Sequence, residues 1–375
     1  MLSAKTLFTT QNSSSVENEF AVYIHIPFCS ERCDYCAFTT FTKYAHLQTR
    51  YIDACIREID LAKATDLLRP STSVYIGGGT PSLIAPDELL RLLRHLDHYI
   101  DTEITVECNP ESFTEDLCAA LSAGGVNRIS LGIQSLVPSV LRDLGRTNHQ
   151  GSVQKSLSLI RQYRFPSHSV DIIYGSNAEK NNDLLYTLNT IFELDPELPH
   201  ISAYALTVEK GTPLAGDPSR HPDEDRQATY YETIDNFLSK KGFSWYEISN
   251  WAKPDHQCRH NKVYWTGKPY LAIGCGAHGY DGYSRYWNTS SIMKYLEMTE
   301  SGILPRAGEE TLNDNDRKLE LLFLKLRTSD GVPQSALDFT DELADLVTLV
   351  SGRYVLTQRG RLLANEVAHR LRIPI

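Results

Sequence analysis

Cys29, Cys33 and Cys36 stand in a C-x3-C-x2-C spacing within the stretch YIHIPFCSERCDYCAF, Tyr23 to Phe38. Thiolates are soft ligands that suit iron–sulfur clusters or zinc, and a four-iron cluster usually takes four of them. Three on one tight loop hold three irons and leave the fourth with an open position, where a reacting ligand binds. Zinc is the competing reading, but it wants a fourth Cys or His. Ala37 to Tyr44 supplies none, and the nearest candidate is His46. A plain loop of three structural thiols is the third reading, with Pro27, Ser30 and Asp34 as its turn formers.

The surrounding chain alternates strand and helix patterns. A short apolar strand leads into the cysteines, and Ser73-Val74-Tyr75-Ile76 runs straight into Gly77-Gly78-Gly79-Thr80-Pro81. Glycines at the end of a strand let a backbone pass close to a ligand, although a flexible turn would use them too. Further strands are expected at Glu103 to Glu107, Asn127 to Ile133, Val170 to Gly175, His200 to Leu206 and Phe243 to Ile248. Helical spacing fills the intervals at 47–68, 86–96, 114–122, 137–144, 153–161, 183–193 and 226–240. Cys55, on the first helix, reads as a core thiol. Strands that alternate with helices imply a parallel sheet with crossovers, here a complete or partial (β/α) TIM-type barrel. Such barrels carry their chemistry at the C-terminal strand ends, and the polar residues there are Gly77 to Thr80, Glu107, Gln134, Asp171 and Ala205 to Thr207. Taken singly, Glu107 reads equally well as a cap, and Gln134 and Asp171 as partners for loop backbone.

With 375 residues the chain can bury a large core, and a formal charge of −10 argues against general nucleic-acid affinity. The eight cysteines form no small secreted disulfide pattern, which points to a reducing, cytoplasmic setting. No apolar run reaches membrane-spanning length, so an integral membrane protein is not expected. Residues 1–19 read as a polar, flexible leader.

Residues 20–300 are assigned to the barrel and 301–375 to an accessory domain, with Gly302 to Gly308 as a linker. Asn313 and Asp316 open a helix with a Leu319, Leu322, Phe323 and Leu326 stripe. A helical stretch at Leu343 to Val350, a strand at Tyr354 to Thr357 and a final helix with Leu363, Val367 and Leu371 complete a winged-helix-like α+β unit. Its arginines, Arg353, Arg359, Arg361, Arg370 and Arg372, read as a solvated basic face.

The cysteine spacing, with aromatic Tyr35 before the last cysteine, resembles the radical S-adenosylmethionine (SAM) superfamily. In that superfamily the open iron of a [4Fe-4S] cluster binds SAM and passes an electron to its sulfonium. HIPFC, GGGTPS, ECNPES, NRISLGIQS, LGRTN, DIIYG, HISAYALTVEKGTP, YEISNWAKP and HNKVYW further resemble, in order, the HemN/HemW family. That resemblance implies that Tyr23, Gly78 and Glu107 contact the cluster-bound SAM. It places Gly79, Thr80, Gln134, Arg146, Asp171 and Ala205 around a second SAM, so one or two are expected. The family's expected Pro is absent after Tyr174-Gly175, where this chain has Ser176-Asn177.

Two features select the haem-chaperone branch. Phe38 stands where the oxygen-independent coproporphyrinogen III dehydrogenases have a further cysteine, and His260 opens the branch signature HNxxYW. The resemblance therefore implies haem as ligand, His260 as a candidate iron ligand with Tyr264 and Trp265 near the porphyrin, and a membrane or respiratory acceptor protein. His256 and Cys258 are reserve ligands, and Cys275 and His278 lie in a Gly-rich run, GCGAHG, expected to turn near the same mouth. Radical decarboxylation of coproporphyrinogen III is the alternative, and a zinc-structured binding protein the remote one. Whether SAM is cleaved is left open.

Overall fold

The computed structural model describes residues 10–11, 19–180 and 182–374. Its framework is one sheet of β1 (Thr10–Gln11), β2 (Ala21–Ile26), β3 (Ser71–Gly78), β4 (His98–Cys108), β5 (Arg128–Gln134), β6 (Ser167–Tyr174), β7 (His200–Ala205), β8 (Ser244–Glu247), β9 (Asn250–Ala252), β10 (Tyr270–Ile273), β11 (His278–Tyr280), β12 (Ser284–Asn288) and β13 (Arg306–Thr311). The order is β13-β12-β11-β10-β2-β3-β4-β5-β6-β7-β9-β8, with β1 beside β4. From β10 through β7 every pairing is parallel, and antiparallel strands flank this core on both sides. The sheet curls as a partial barrel and stays open, because β13 and β8 end the order and do not pair.

Alternation along the strands decides which side chains meet helices and which face the concave side. Val22, Ile24, Val74, Ile76, Val106, Ile129, Leu131, Val170 and Ile172 are fully or almost fully buried. Each such side chain contributes roughly 1.5–3 kcal/mol. The opposite set, Tyr23, His25, Tyr75, Glu107, Ser130 and Asp171, shares the other face and is joined by hydrogen bonds within it. Helices Gln48–Ala64, Glu115–Ala123, Gln150–Gln162, Asp183–Leu194 and Glu224–Lys240 lie where the spacing placed them. Their starts follow side-chain capping: Thr114 accepts from Leu117 N, and Asp223 from Arg226 N.

Three expectations are corrected. The Phe243 to Ile248 stretch gives β8, an antiparallel edge strand, because only Ile248 and Ser249 separate it from β9 and a parallel return needs a long crossover. The remaining parallel strand is β10, next to β2. Gly302 closes the preceding helix at φ +71°, but the chain then enters β13, so the large sheet extends beyond residue 300. Finally, Leu343 to Val350 is not helical. Its β-branched end forms β15 (Val347–Val350), paired with β16 (Arg353–Leu356) across Ser351 and Gly352 at φ +49° and +76°, and two successive positive φ values make the tight turn that suits a hairpin. Together with β14 (Val332–Pro333) these strands form a three-stranded sheet in the order β14-β16-β15. It packs with helix Asp314–Leu326 around a second core of Leu322, Leu326, Val332, Leu337, Tyr354 and Leu356. The leader lies outside the described residues apart from Thr10, Gln11 and Glu19.

Candidate functional site

The cysteine loop leaves the C-terminal end of β2 and is pinched at its base. Phe41 N donates to Pro27 O at 2.6 Å and Cys29 N to Phe41 O at 3.1 Å, while Phe28 is buried against Tyr51. Its outer turn is tied down from two sides: Asp34 N donates to Leu144 O at 3.2 Å, and Leu214 N donates to Asp34 O at 3.0 Å. Arg220 adds ion pairs to Asp34 and Asp143 at 2.8 and 3.0 Å. Cys29, Cys33 and Cys36 are free and half-buried, and Phe38 is exposed beyond them. Burial raises the Cys29 and Cys36 thiols, opposed at Cys29 by the Thr80 hydroxyl and at both by Arg146.

The glycine run closes over this loop. Gly79 N donates to Ile26 O and Thr80 N to Phe28 O, both at 2.8 Å, and Thr80 Oγ1 lies 3.7 Å from Cys29 Sγ. A Cβ on Gly79 would come within 2.7 Å of Phe28 O and 3.0 Å of Cys29 Sγ, so the approach needs glycine. Gly78, at φ +115°, donates its N–H to Glu107 Oε2 at 2.9 Å, and Tyr75 Oη donates to Glu107 Oε1 at 2.8 Å. Burial pushes the Glu107 carboxyl up to about 7. Tyr23 stacks on Tyr75 and bonds His25 Nδ1 at 3.0 Å, while His25 Nε2 bonds Thr39 O at 2.8 Å.

Arg146 is the hub of the next strand ends. It reaches Cys33 Sγ at 3.6 Å and donates to Asn109 Oδ1 and Gly132 O, each at 3.1 Å. Asn109 also donates to Thr80 Oγ1 at 3.2 Å, so a polar chain joins Cys29 to Cys33 through Thr80, Asn109 and Arg146. Asp171 accepts from Ser130 at 2.5 Å and Ser169 at 3.2 Å. Gln134, at φ +58°, keeps a buried Oε1 with no partner among the described residues. Ala205 ends β7 opposite Tyr174.

His260, expected from the resemblance as a candidate iron ligand, is held inside the protein. It lies on helix Arg259–Trp265 and is 1 % exposed. Nδ1 meets Ser73 Oγ at 3.1 Å, near the start of β3, and Nε2 meets Tyr264 Oη at 2.7 Å. Burial lowers the imidazole to about 3. Both ring nitrogens are thus engaged inside the protein. Of the reserve ligands, Cys258 is buried against Glu103 and His256 bonds Ser167. The GCGAHG run turns just past the cysteines, where a Cβ on Gly276 would meet Thr39 Oγ1 at 2.6 Å, with Cys275 buried beside Tyr51 and His278 stacked on Trp287.

Comparison with known proteins decides the family. The Radical SAM superfamily model matches residues 23–191. The heme chaperone HemW of Mycobacterium tuberculosis (strain H37Rv) is 40% identical over 372 residues, covering 94% of this chain and 94% of that protein. The heme chaperone HemW of Bacillus subtilis (strain 168) is 30% identical, covering 92% and 97%. The chain belongs to the HemW family of radical SAM proteins. The solved structure of the coproporphyrinogen III oxidase HemN from Escherichia coli has the same fold, with TM-score 0.78 over 94% of this chain and 89% of that one, at 22% identity.

Radical SAM membership implies a [4Fe-4S] cluster and SAM, and the residues present fit both. Among the described residues no three His, Cys, Asp or Glu side chains converge on a point for a single ion. Three thiols on one loop instead suit a cluster, whose separate irons take one thiolate each. The orphaned Gln134 Oε1 and the Glu107 carboxylate offer acceptors on the same side of the sheet as the cysteines. Sequence reasoning passed over His25, Tyr75, Asn109 and Arg220. Tyr23 and His25 share a strand face by their i, i+2 spacing, a signal present in YIHI. Asn109 stands in Cys108-Asn109-Pro110-Glu111, a run whose local signal is that of a strand breaker, and Arg220 lies too far along the chain from Asp34 for any local pattern to link them.

Proposed function

We propose that this protein is a haem carrier that delivers haem to a haem-requiring acceptor protein, with a [4Fe-4S] cluster on Cys29, Cys33 and Cys36. The observation that carries this reading is 40% identity to a heme chaperone HemW along 94% of both chains. Phe38, where the coproporphyrinogen dehydrogenases have a further cysteine, supports the same branch. When bound, the cluster supplies an electron to the SAM sulfonium. The residues of this chain set the geometry for that. Tyr23, Gly78 and Glu107 face SAM: Gly78 φ +115° turns its N–H onto Glu107, and the carboxylate fixed in that way can accept from ribose hydroxyls.

Gly79, Thr80 and Arg146 brace the cysteine loop, since their donors already serve Ile26 O, Phe28 O, Cys29 and Cys33. Gln134, Asp171 and Ala205 remain to line the open interior, which supports a single SAM. The acceptor is a membrane or respiratory haem protein. Eight free thiols suit a reducing, cytoplasmic location, and among the described residues no helix is long and apolar enough to cross a membrane. Residues 20–300, with β13 added to their sheet, act as the cofactor unit, and the rest of 301–375 as a cover packed on it.

The test is anaerobic reconstitution followed by haem titration. About four irons per chain and a haem Soret band are expected, with transfer of that haem to an apo-acceptor. Formation of protoporphyrinogen from coproporphyrinogen III with reductant and SAM overturns the carrier reading in favour of the decarboxylase.

A further inference from the structure

A cavity of about 370 Å³ opens between the end of helix Arg259–Trp265, the β11–β12 hairpin and helix Asp314–Leu326. That volume lies within the range of small-molecule sites. It sits at the end of the sheet away from the cysteines. Tyr270, on its wall, opens β10 and pairs with Ala21, the first residue of β2, whereas the cysteine loop follows Ile26 at the other end. A strand of that length separates the two by roughly 20 Å.

The wall is aromatic. Tyr264 and Tyr270 meet edge to face at 4.6 Å, and Tyr270 and Tyr280 lie 6.3 Å apart. Tyrosines present flat apolar faces with a polar tip, and a planar ring system packs on them. The rim is cationic. The two carboxylates present, Asp314 and Glu320, are already held by Arg317 and Arg285. Lys268 and Lys318 have no ion-pair or hydrogen-bond partner for their ammonium groups among the described residues. Arg317 also keeps a buried Nε–H without a partner. Aromatic walls with unpaired cations select a flat, apolar ligand that carries carboxylates at its edge.

We propose that this cleft holds the tetrapyrrole, with its ring against Tyr264, Tyr270 and Tyr280 and its propionates on Lys268 and Lys318. The inference rests on the haem-carrier reading and gives it a location. His260 then acts as a positioning residue. It touches the cleft only through Tyr264 Oη, and its own nitrogens stay within the protein.

The test titrates the full-length protein with haem, followed by its Soret band, and with iron-free protoporphyrin IX, followed by its fluorescence. Both bind the wild type, because ring and carboxylates carry the recognition. A K268E/K318E variant, changed only at the rim, weakens both ligands by about tenfold per lysine. Tyr270→Ala weakens both as well, and His260→Ala, which lets go of Tyr264 Oη, weakens haem and protoporphyrin alike by a few-fold, whereas a loss confined to haem overturns the positioning role. Unchanged affinity for both ligands in K268E/K318E overturns the cleft and leaves the carrier reading standing. Failure of the wild type to bind either ligand overturns both.

Discussion

The His260 ring lies against the Tyr75 ring, with centroids 5.0 Å apart and planes 28° from parallel. Tyr75 in turn donates to Glu107 Oε1 at 2.8 Å, and His260 Nε2 meets Tyr264 Oη at 2.7 Å. One contiguous set of side chains therefore runs through the sheet from the aromatic cleft to the carboxylate beside the glycine run. Tyr75→Phe keeps the stack and removes the hydrogen bond to Glu107. SAM affinity, measured by calorimetry on the reconstituted protein, is expected to fall by about three- to tenfold while the fold is retained. An unchanged affinity shows that Glu107 does not need this partner.

Arg146 places its charge on Cys33 Sγ and fills the gap between Asn109 and Gly132 O. Arg146→Ala removes a cation from the cluster's surroundings and leaves both acceptors short of a donor. The cluster potential is expected to become more negative, and iron retention against a chelator to weaken by roughly ten- to a hundredfold. A redox titration followed by electron paramagnetic resonance checks the first, and iron release the second.

Gly79 has no room for a methyl group: its Cβ would meet Phe28 O at 2.7 Å, Ile26 O at 2.9 Å and Cys29 Sγ at 3.0 Å. Two of these atoms are backbone and cannot swing away, so the cysteine loop must shift. Gly79→Ala is expected to give a folded protein with reduced iron content. Gly216→Ala, in a position where nothing lies within 4 Å of the new Cβ, is the control and retains iron.

Glu58 is buried and accepts from Gly274 N at 2.8 Å, Asn288 Nδ2 at 2.7 Å and Tyr295 Oη at 2.6 Å. Burial pushes its carboxyl up to about 7 against the pull of those donors. Between about 4.3, the ordinary value in an unfolded chain, and that point the folded chain keeps a proton the unfolded chain has lost, so stability falls as pH rises through the window. Glu107, Glu179 and Glu247 are raised to about 7 as well. Glu58→Gln should lower stability by about 1–3 kcal/mol, since an amide has one oxygen for three donors. It should also flatten the fall in Tm between about pH 5 and pH 7. A slope equal to that of the wild type is the outcome against this assignment.

Arg361, with a side chain 4 % exposed, ties the C-terminal unit to helix Glu224–Lys240 through Asp235 at 2.6 Å. Burial alone would raise the Asp235 carboxyl, but hydrogen bonds from Arg361 and Trp251 outweigh it and hold it below its usual range. Its contribution is therefore present above the unfolded value and is lost as pH falls through the folded one. Arg361→Ala leaves Asp235 buried without its counter-charge, at a cost of about 3 kcal/mol. Calorimetry should show the transition move down and broaden as the two cores separate.

The parallel framework was legible because its signals are local. β-branched runs ending in glycine, asparagine or glutamine located β3 to β6, the apolar run from His200 to Leu206 located β7, and the cysteine spacing named its own chemistry. What could not be read depended on chain return or distance. Two residues after Glu247 reverse the strand, and Ser351 adopts positive φ although it is not glycine. The helix under His260 is short, and its place beneath β3 follows from Glu103 and Ser73, which are remote in sequence. The polar chain Thr80, Asn109 and Arg146 likewise joins three separate strand ends.

The sheet closes on neither side, with β13 and β8 at its two ends. A closed barrel widens only by breaking a ladder, whereas this one has a seam. The chain ties that seam itself: Ser329 N donates to Tyr246 O at 3.0 Å and Thr328 bridges Glu247, so the C-terminal unit, entered directly from β13, is bonded to the β8 edge. A change in curl is thus felt by the C-terminal unit, while the cysteine end keeps the separate pinch of Pro27 and Phe41.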